Sequence, residues 1–355
     1  MRRLHPLWTF LVAALALGAG LVAGFELHGS PSGAPSAGSG SSTLSVTAAG
    51  LLDGVFPAEA SLLANETSGI STPTAAEQFE GSLTALEAIS ELHQPYDVAA
   101  SADFRLIPLL LEPSYASWQV LFASSPLVLA YDAASPAMHG INSTNWPTVL
   151  TTPGVLLGLA NASADPDGFN AIFALELEGL LTEGSLSALY DHFFTTPPGQ
   201  LAVLNPATTR SVPETEAASL LSSGSIDAYF LYRAFAVSHH LSYLSLSPSV
   251  DLSNFSAAAI ASYAQASTEI LGPTGSLERV VGAPVAFTAT VPANAPNATL
   301  GTLFVHLLLT PAGQALLAEQ GFSPLEPALA QGTGLPDWIA PLTSPLPAGL
   351  AAELP

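Results

Sequence analysis

The chain has 355 residues, of which 49% are hydrophobic and only 10% charged, with a formal net charge of −22. That is enough apolar sequence for real cores in two domains of ordinary size. It contains no cysteine and no lysine, and its six cations are all arginines, which excludes disulfides, thiolate metal sites and a basic nucleic-acid surface.

In chain order, Arg2 and Arg3 precede a largely apolar run from Leu7 to Phe25. This is the pattern of an export signal, or of an uncleaved anchor about long enough to cross a bilayer. Residues 1–28 are read as that segment, and 29–42, almost all Gly, Ser, Pro and Ala, as a flexible linker. No cysteine follows, so a lipid-anchored cysteine is excluded. The body is expected outside the cytoplasm, secreted or tethered at the outer face of the membrane. Asn-x-Ser/Thr triplets at Asn65, Asn142, Asn161, Asn254 and Asn297 agree with exposure. Few charges and many carboxylates suit an acidic medium; the absence of lysine fits genomic base bias equally well.

Leu44–Ala49 alternates like a strand and ends at Gly50, with a helix expected over Leu51–Leu63 and an amphipathic helix over Phe79–Leu92. Val98–Ala100 reads as a buried strand, Ser101-Ala102-Asp103 as a sharp turn, and Phe104 onward as a helix whose start Pro108 restricts. Such a strand–turn–helix can aim backbone N–H groups and a hydroxyl at an anion, although Ser101 equally suits a plain helix cap. Val120–Ala123 and Leu127–Tyr131 form an apolar run that Pro126 should break. A short helix over Asn142–Leu150 and a buried strand over Val155–Ala160 lead into the turn-rich stretch Asn161–Gly168, with Asp165 or Asp167 at the start of a helix. Ile226–Tyr232 and Val285–Val291 are strand-like, and helices follow over Thr299–Leu309 and Pro311–Gln320. Strands alternating with helices predict an α/β class with parallel sheets. Ligand loops are then expected at Ala48–Leu51, Ser101–Asp103 and Asn161–Gly168, the carboxyl ends of strands. His239 and His240 are adjacent and point apart, so they are poor co-ligands. No nucleophile–base pair is apparent, and the chain is read as a binding protein rather than an enzyme.

Several stretches together resemble the archaeal tungstate/molybdate-binding proteins of ABC importers, over about Leu44 to Leu335. They are Asp97–Phe104 with Leu106-Ile107-Pro108, Leu127–Tyr131, Ile141–Trp146, Asp165–Phe169, Gly224–Arg233 and Val291–Asn297. The resemblance implies a two-lobed, type II periplasmic-binding-protein-like fold, its ligand cleft between the lobes and two crossover segments as hinges. Lobe 1 would comprise 43–128 and 289–345, lobe 2 129–288, and 346–355 a C-terminal tail. The chain would cross near Leu129–Tyr131 and near Ala286–Thr288. By position, the implied contacts to an oxyanion fall on Ala49, Gly50, Leu51, Ser101, Ala102, Asp165, Gly168 and Tyr232. Asp165 is also a candidate ligand to the metal centre of a bound oxyanion. No cofactor is implied. The implied partners are the anion and an ABC permease with its cytoplasmic ATPase, for a chain expected to be a monomer.

The sequence departs from that family at two positions. The serine of its first loop is Leu51 here, and the second carboxylate is Leu231, which cannot ligate a metal. Tungstate or molybdate therefore stand beside sulfate, thiosulfate, phosphate or a small carboxylate as expected ligands, and a sensor or scavenger beside a transport component. Asp165 can coordinate the metal, donate a hydrogen bond when protonated, or serve only as a helix cap. Arg233 is read as a surface or hinge residue in preference to an anion clamp.

Overall fold

The computed structural model describes residues 43–66, 76–271 and 275–354. The expected signal or anchor and the linker, 1–28 and 29–42, lie outside the described residues. The strands are β1 (Ser45–Ala49), β2 (Ala76–Glu80), β3 (Val98–Ser101), β4 (Trp118–Ser124), β5 (Leu127–Tyr131), β6 (Leu157–Leu159) and β7 (Thr209–Ser211). They continue with β8 (Ala228–Tyr232), β9 (Tyr243–Ser245), β10 (Ser267–Leu271), β11 (Leu277–Val281), β12 (Phe287–Thr290), β13 (Ser323–Gly332) and β14 (Thr343–Pro345). One sheet has the order β14-β13-β4-β12-β3-β1-β2, another the order β7-β6-β8-β5-β9, and β10–β11 forms a separate hairpin. Each of the two larger sheets is the centre of one lobe.

The sheets are mixed, where alternation of strands and helices had predicted parallel ones. β1, β2 and β3 are parallel, but β12 runs against β3 and β4, and β5 runs against β8 and β9. The reason is topological. β5 and β12 are the strands by which the chain enters a lobe from the other lobe, and each runs opposite to its neighbours. β4 ends at Ser124 and β5 begins at Leu127, so Pro126 interrupts the apolar run as its missing N–H requires. The first crossing is therefore at Ser125–Pro126. The expected crossing at Leu129–Tyr131 lies inside β5 instead, and Phe287 and Thr288 already pair in the sheet of β4.

Other expectations shift for local reasons. Phe79 belongs to β2, because 76–80 pairs with β1, and the helix begins only at Ser82. Gly50–Gly54 is a short 3-10 turn that precedes the helix Phe56–Glu66, so the helix expected from Leu51 starts later. The C-terminal residues are no tail: Ala348–Ala351 is helical and Leu350 is fully buried against Phe104, Leu121, Ile260, Ala283 and Ala286. Among the described residues no single helix is long and apolar enough to cross a membrane.

Asp97 explains why β1, β3 and the helix Ala298–Leu308 hold one register. Its carboxylate accepts from Ser45 N at 2.8 Å, Ser45 Oγ at 2.9 Å and Asn297 N at 2.5 Å. Three donors on one buried carboxylate compensate its desolvation. The helix comes so close that a Cβ on Gly301 would collide with the Asp97 carbonyl oxygen. Gly301→Ala is therefore expected to destabilise the protein by about 1–3 kcal/mol through overpacking, read as a lowered midpoint in urea unfolding with unchanged slope.

Candidate functional site

β3 delivers Ser101 to the lobe junction, and the turn after it is locally self-sufficient. Ser101 Oγ accepts from Asp103 N at 3.0 Å and donates to the Asp103 carbonyl at 2.8 Å, with no exposure of Ser101 itself. Ala102 N donates to Ser82 Oγ at 3.0 Å. From below, Gln119 Nε2 donates to the Phe104 carbonyl at 2.8 Å, and Thr288 Oγ1 holds that glutamine through Oε1 at 2.8 Å. The turn is thus fixed by β4 and β12 together.

The opposite wall comes from the helix Pro166–Glu183 and from β8. Asp165 caps this helix, its Oδ1 accepting from Asp167 N at 3.0 Å. The structure thus gives Asp165 the plain capping geometry that the sequence left open. Gly168 sits so close to the preceding loop that a Cβ would lie 2.6 Å from both Ala160 O and Ala162 N; its place is dictated by packing. Tyr232 ends β8, and its hydroxyl accepts from Asn170 Nδ2 at 2.7 Å.

Between these walls lies a narrow crevice. Ala102, Asp103, Phe104 and Arg105 line it from one lobe; Pro166, Phe169, Asn170, Phe173 and Tyr232 line it from the other, with the 281–286 crossover alongside. Of the residues singled out from the sequence, Ala102 and Tyr232 meet here. Ser101 lies buried behind the wall, and Asp165 immediately precedes the wall residue Pro166. Gly168 lines a separate cavity of the second lobe. Ala49 is buried, Gly50 is exposed, and half-buried Leu51 packs on the apolar cluster that holds Leu231, Tyr229 and Phe235. The two positions that depart from the resembled family therefore share one apolar cluster. Alternation along β8 explains this: Leu231 and Tyr229 face that cluster, and Tyr232 and Phe230 the other core.

Arg233 stands at the hinge. Its Nε donates to Gly321 O at 2.7 Å, and Nη2 to Phe322 O at 3.1 Å and Ser323 Oγ at 2.9 Å, so a side chain following β8 grips the start of β13. Three residues that sequence reading did not single out as site members belong here. Arg105 and Asn170 line the crevice, and Glu214, at the first turn of the helix Glu214–Ser222, faces Asp167. Arg105 stood two residues after Asp103 in a body with four cations, a signal available in the sequence; Glu214, far along the chain, offered none.

The carboxyls behind Tyr232 are poised toward neutrality. Burial, then the Glu214 and Asp165 charges, push the Asp167 carboxyl well above the ordinary range. Burial pushes Glu214 up to about 7, and burial raises Asp165 against its bond from the Asp167 amide. Burial, with the Asp167 and Asp165 charges behind it, also holds the Tyr232 hydroxyl well above its ordinary value, so it stays protonated. Elsewhere in this lobe, burial lifts Glu176 from 4.5 to about 7, although Ser267 N donates to its Oε2 at 2.9 Å. An acid whose folded pKa is raised contributes stability that is fully present below its unfolded pKa and is lost as pH rises through the folded value. Stability is therefore expected to be highest near pH 4–5 and to fall toward pH 8. Glu176→Gln and Glu214→Gln should each flatten that slope, by up to roughly 3 kcal/mol for Glu176. Urea midpoints measured across that range check this.

A family model described as bacterial extracellular solute-binding protein matches residues 44–323. The molybdate/tungstate-binding protein WtpA of Thermococcus kodakarensis is 29% identical over 267 residues, 72% of this chain and 74% of that protein. An uncharacterized solute-binding protein of Methanoculleus marisnigri is 31% identical over 312 residues, 84% of this chain and 86% of its own length. The periplasmic molybdate-binding protein of Azotobacter vinelandii superposes with a TM-score of 0.51 at 17% identity, covering 79% of this chain and 98% of that one. That likeness is one of fold, the two-lobed type II arrangement. With two sheets joined at a hinge, a crevice lined from both, and a family match over most of its length, this chain belongs to the bacterial extracellular solute-binding protein family.

Proposed function

We propose that the chain is the extracellular capture component of an oxyanion importer, closing its lobes on tungstate or molybdate and presenting it to an ABC permease with a cytoplasmic ATPase. The observation that carries this reading is the crevice itself: Ala102 and Arg105 face Asn170 and Tyr232 across the lobe junction. A ligand touching both walls stabilises the closed form by its differential contacts with that form. The names of two relatives as molybdate/tungstate-binding proteins support the choice of anion. In the same reading, residues 1–28 export the body or tether it, through the linker 29–42, to the outer face of the membrane, and the chain acts as a monomer.

Leu231 is fully buried in an apolar cluster and offers no oxygen. Two-carboxylate coordination of a metal centre is then out of reach, and the anion is held as an intact tetrahedron by hydrogen-bond donors. The electrostatics set the condition. At ~4 Å and an effective dielectric of ~20, one pair of like unit charges costs roughly 4 kcal/mol, so ionised Asp165, Asp167 and Glu214 oppose a dianion. All three are shifted toward the neutral form, and acidification removes the repulsion.

Calorimetric titration of the body from residue 42 onward with tungstate, molybdate and sulfate, from pH 3 to pH 8, tests the reading. Binding of a metal oxyanion that tightens by about tenfold or more toward acid pH is expected. Affinity that is flat or rises with pH counts against the protonated cluster. Absence of binding to both metal oxyanions at every pH rejects the proposed ligand and moves the search to phosphate, thiosulfate and small carboxylates.

A further inference from the structure

The folded body carries four arginines, and three of them are committed to the scaffold. Arg210 donates to the Pro206 and Thr209 carbonyls, Arg279 to Ser267 Oγ, and Arg233 to the start of β13. Arg105 differs. It lines the interlobe crevice, its side chain 22% exposed, on the wall opposite Asn170 and Tyr232.

Its guanidinium is held from one side. Nε donates to Asp103 Oδ1 at 2.9 Å and Nη2 to Asp103 Oδ2 at 2.8 Å, while the Arg105 amide donates to the same carboxylate at 2.9 Å. The Phe104 ring lies beneath, 5.7 Å from the guanidinium carbon. This bidentate fork fixes the plane of the group. It also leaves Nη1, with two N–H groups, without a hydrogen bond to any described residue. Burial alone would raise the Asp103 carboxyl, but the Arg105 charge and hydrogen bonds outweigh it and keep the carboxylate ionised.

We infer that Arg105 is the anion-contacting cation of the crevice, its outward Nη1 edge donating to one oxygen of a bound tetrahedral oxyanion while Asp103 acts as the positioning residue that holds that edge. The inference rests on the proposed capture of an oxyanion and adds to it the residue that supplies positive charge. It accounts for two features together. The Ser101 hydroxyl and the Ala102 amide are already engaged with Asp103 and Ser82, so the turn has few donors to offer. Without a second carboxylate at position 231, attraction for the ligand must come from a donor with charge. Arg105 senses Glu353 of the C-terminal segment and Tyr232 across the crevice, so a ligand at Nη1 would lie where the lobes and the C-terminal segment converge.

The test is calorimetry with molybdate, tungstate and sulfate at pH 5 on the wild type, on Asp103→Asn/Arg105→Gln, on Arg105→Lys and on the surface control Arg210→Gln. The double variant removes both charges and orphans neither. Expected are a loss of about 10- to 100-fold in the double variant, a smaller loss in Arg105→Lys, and an unchanged control. Wild-type binding that survives within twofold in a folded double variant overturns the Arg105 assignment and leaves oxyanion capture standing. Should the double variant fail to fold, Arg105→Lys decides by the same criterion, since it keeps Asp103 paired but lacks the fork. No binding of any of the three anions by the wild type overturns oxyanion capture and the assignment with it.

Discussion

The grip between Arg233 and the start of β13 is the constraint on which the crevice depends. Arg233 N donates to the Pro126 carbonyl and Ala234 N to Ser125 Oγ, the two residues where the chain first crosses between sheets. The same guanidinium reaches Gly321, Phe322 and Ser323. Gly321 has a φ of +85° and approaches so closely that a Cβ would sit 2.9 Å from Val237 Cγ2 and 3.1 Å from Ala234 Cα. Only glycine adopts that conformation cheaply and admits the helix Arg233–Ser238 so near. The backbone amides of Arg233 and Ala234 thereby tie the first crossing to the end of β8, and the Arg233 side chain ties the segment leading into β13 to the same place. Tyr232, one residue before Arg233, takes its position in the crevice from that anchorage.

Charge is sparse in this protein, and where it occurs it is used structurally. Asp97 gathers donors from two segments, Asp103 orients Arg105, and Arg279 reaches the hairpin residue Ser267, whose amide binds Glu176. Asp167 and Glu214, with no cation beside them, are carboxyls that burial drives toward the neutral form. A low-dielectric interior makes both outcomes follow from one rule: a buried carboxylate is paired, hydrogen-bonded or protonated. The part of the net charge of −22 that lies on exposed carboxylates is screened by salt within about a Debye length.

Leu51 and Leu231 show how two apolar residues are absorbed by packing. Both occupy positions where the resembled family places oxygen, and both belong to one apolar cluster, built mainly from β8 and the helices around it. Leu51 comes from the turn after β1, so it joins the two lobes through apolar contact in place of a hydroxyl. Burial of this kind is worth about 25 cal/mol per Å² of apolar surface removed from water.

The sequence by itself determined the alternation of strands and helices, the break at Pro126 and the two-lobed fold, because these rest on local periodicity, on proline chemistry and on a motif order that few folds share. It also marked the turn after β3, Ser101-Ala102-Asp103, as a ligand loop, and the resemblance put Tyr232, at the end of β8, among the expected contacts. Tertiary structure decided the rest. β2, β7, β9 and β14 are short strands at the edges of sheets, and their pairing partners, not their own patterns, make them strands. Ser101 and Asp165 each accept from the backbone N–H two residues on, Asp103 N and Asp167 N. The meeting of Arg105, Asn170 and Tyr232 joins residues far apart in the chain. No local pattern encodes which long-range contacts a hinge will close, so the composition of the crevice became legible only once both sheets were in place.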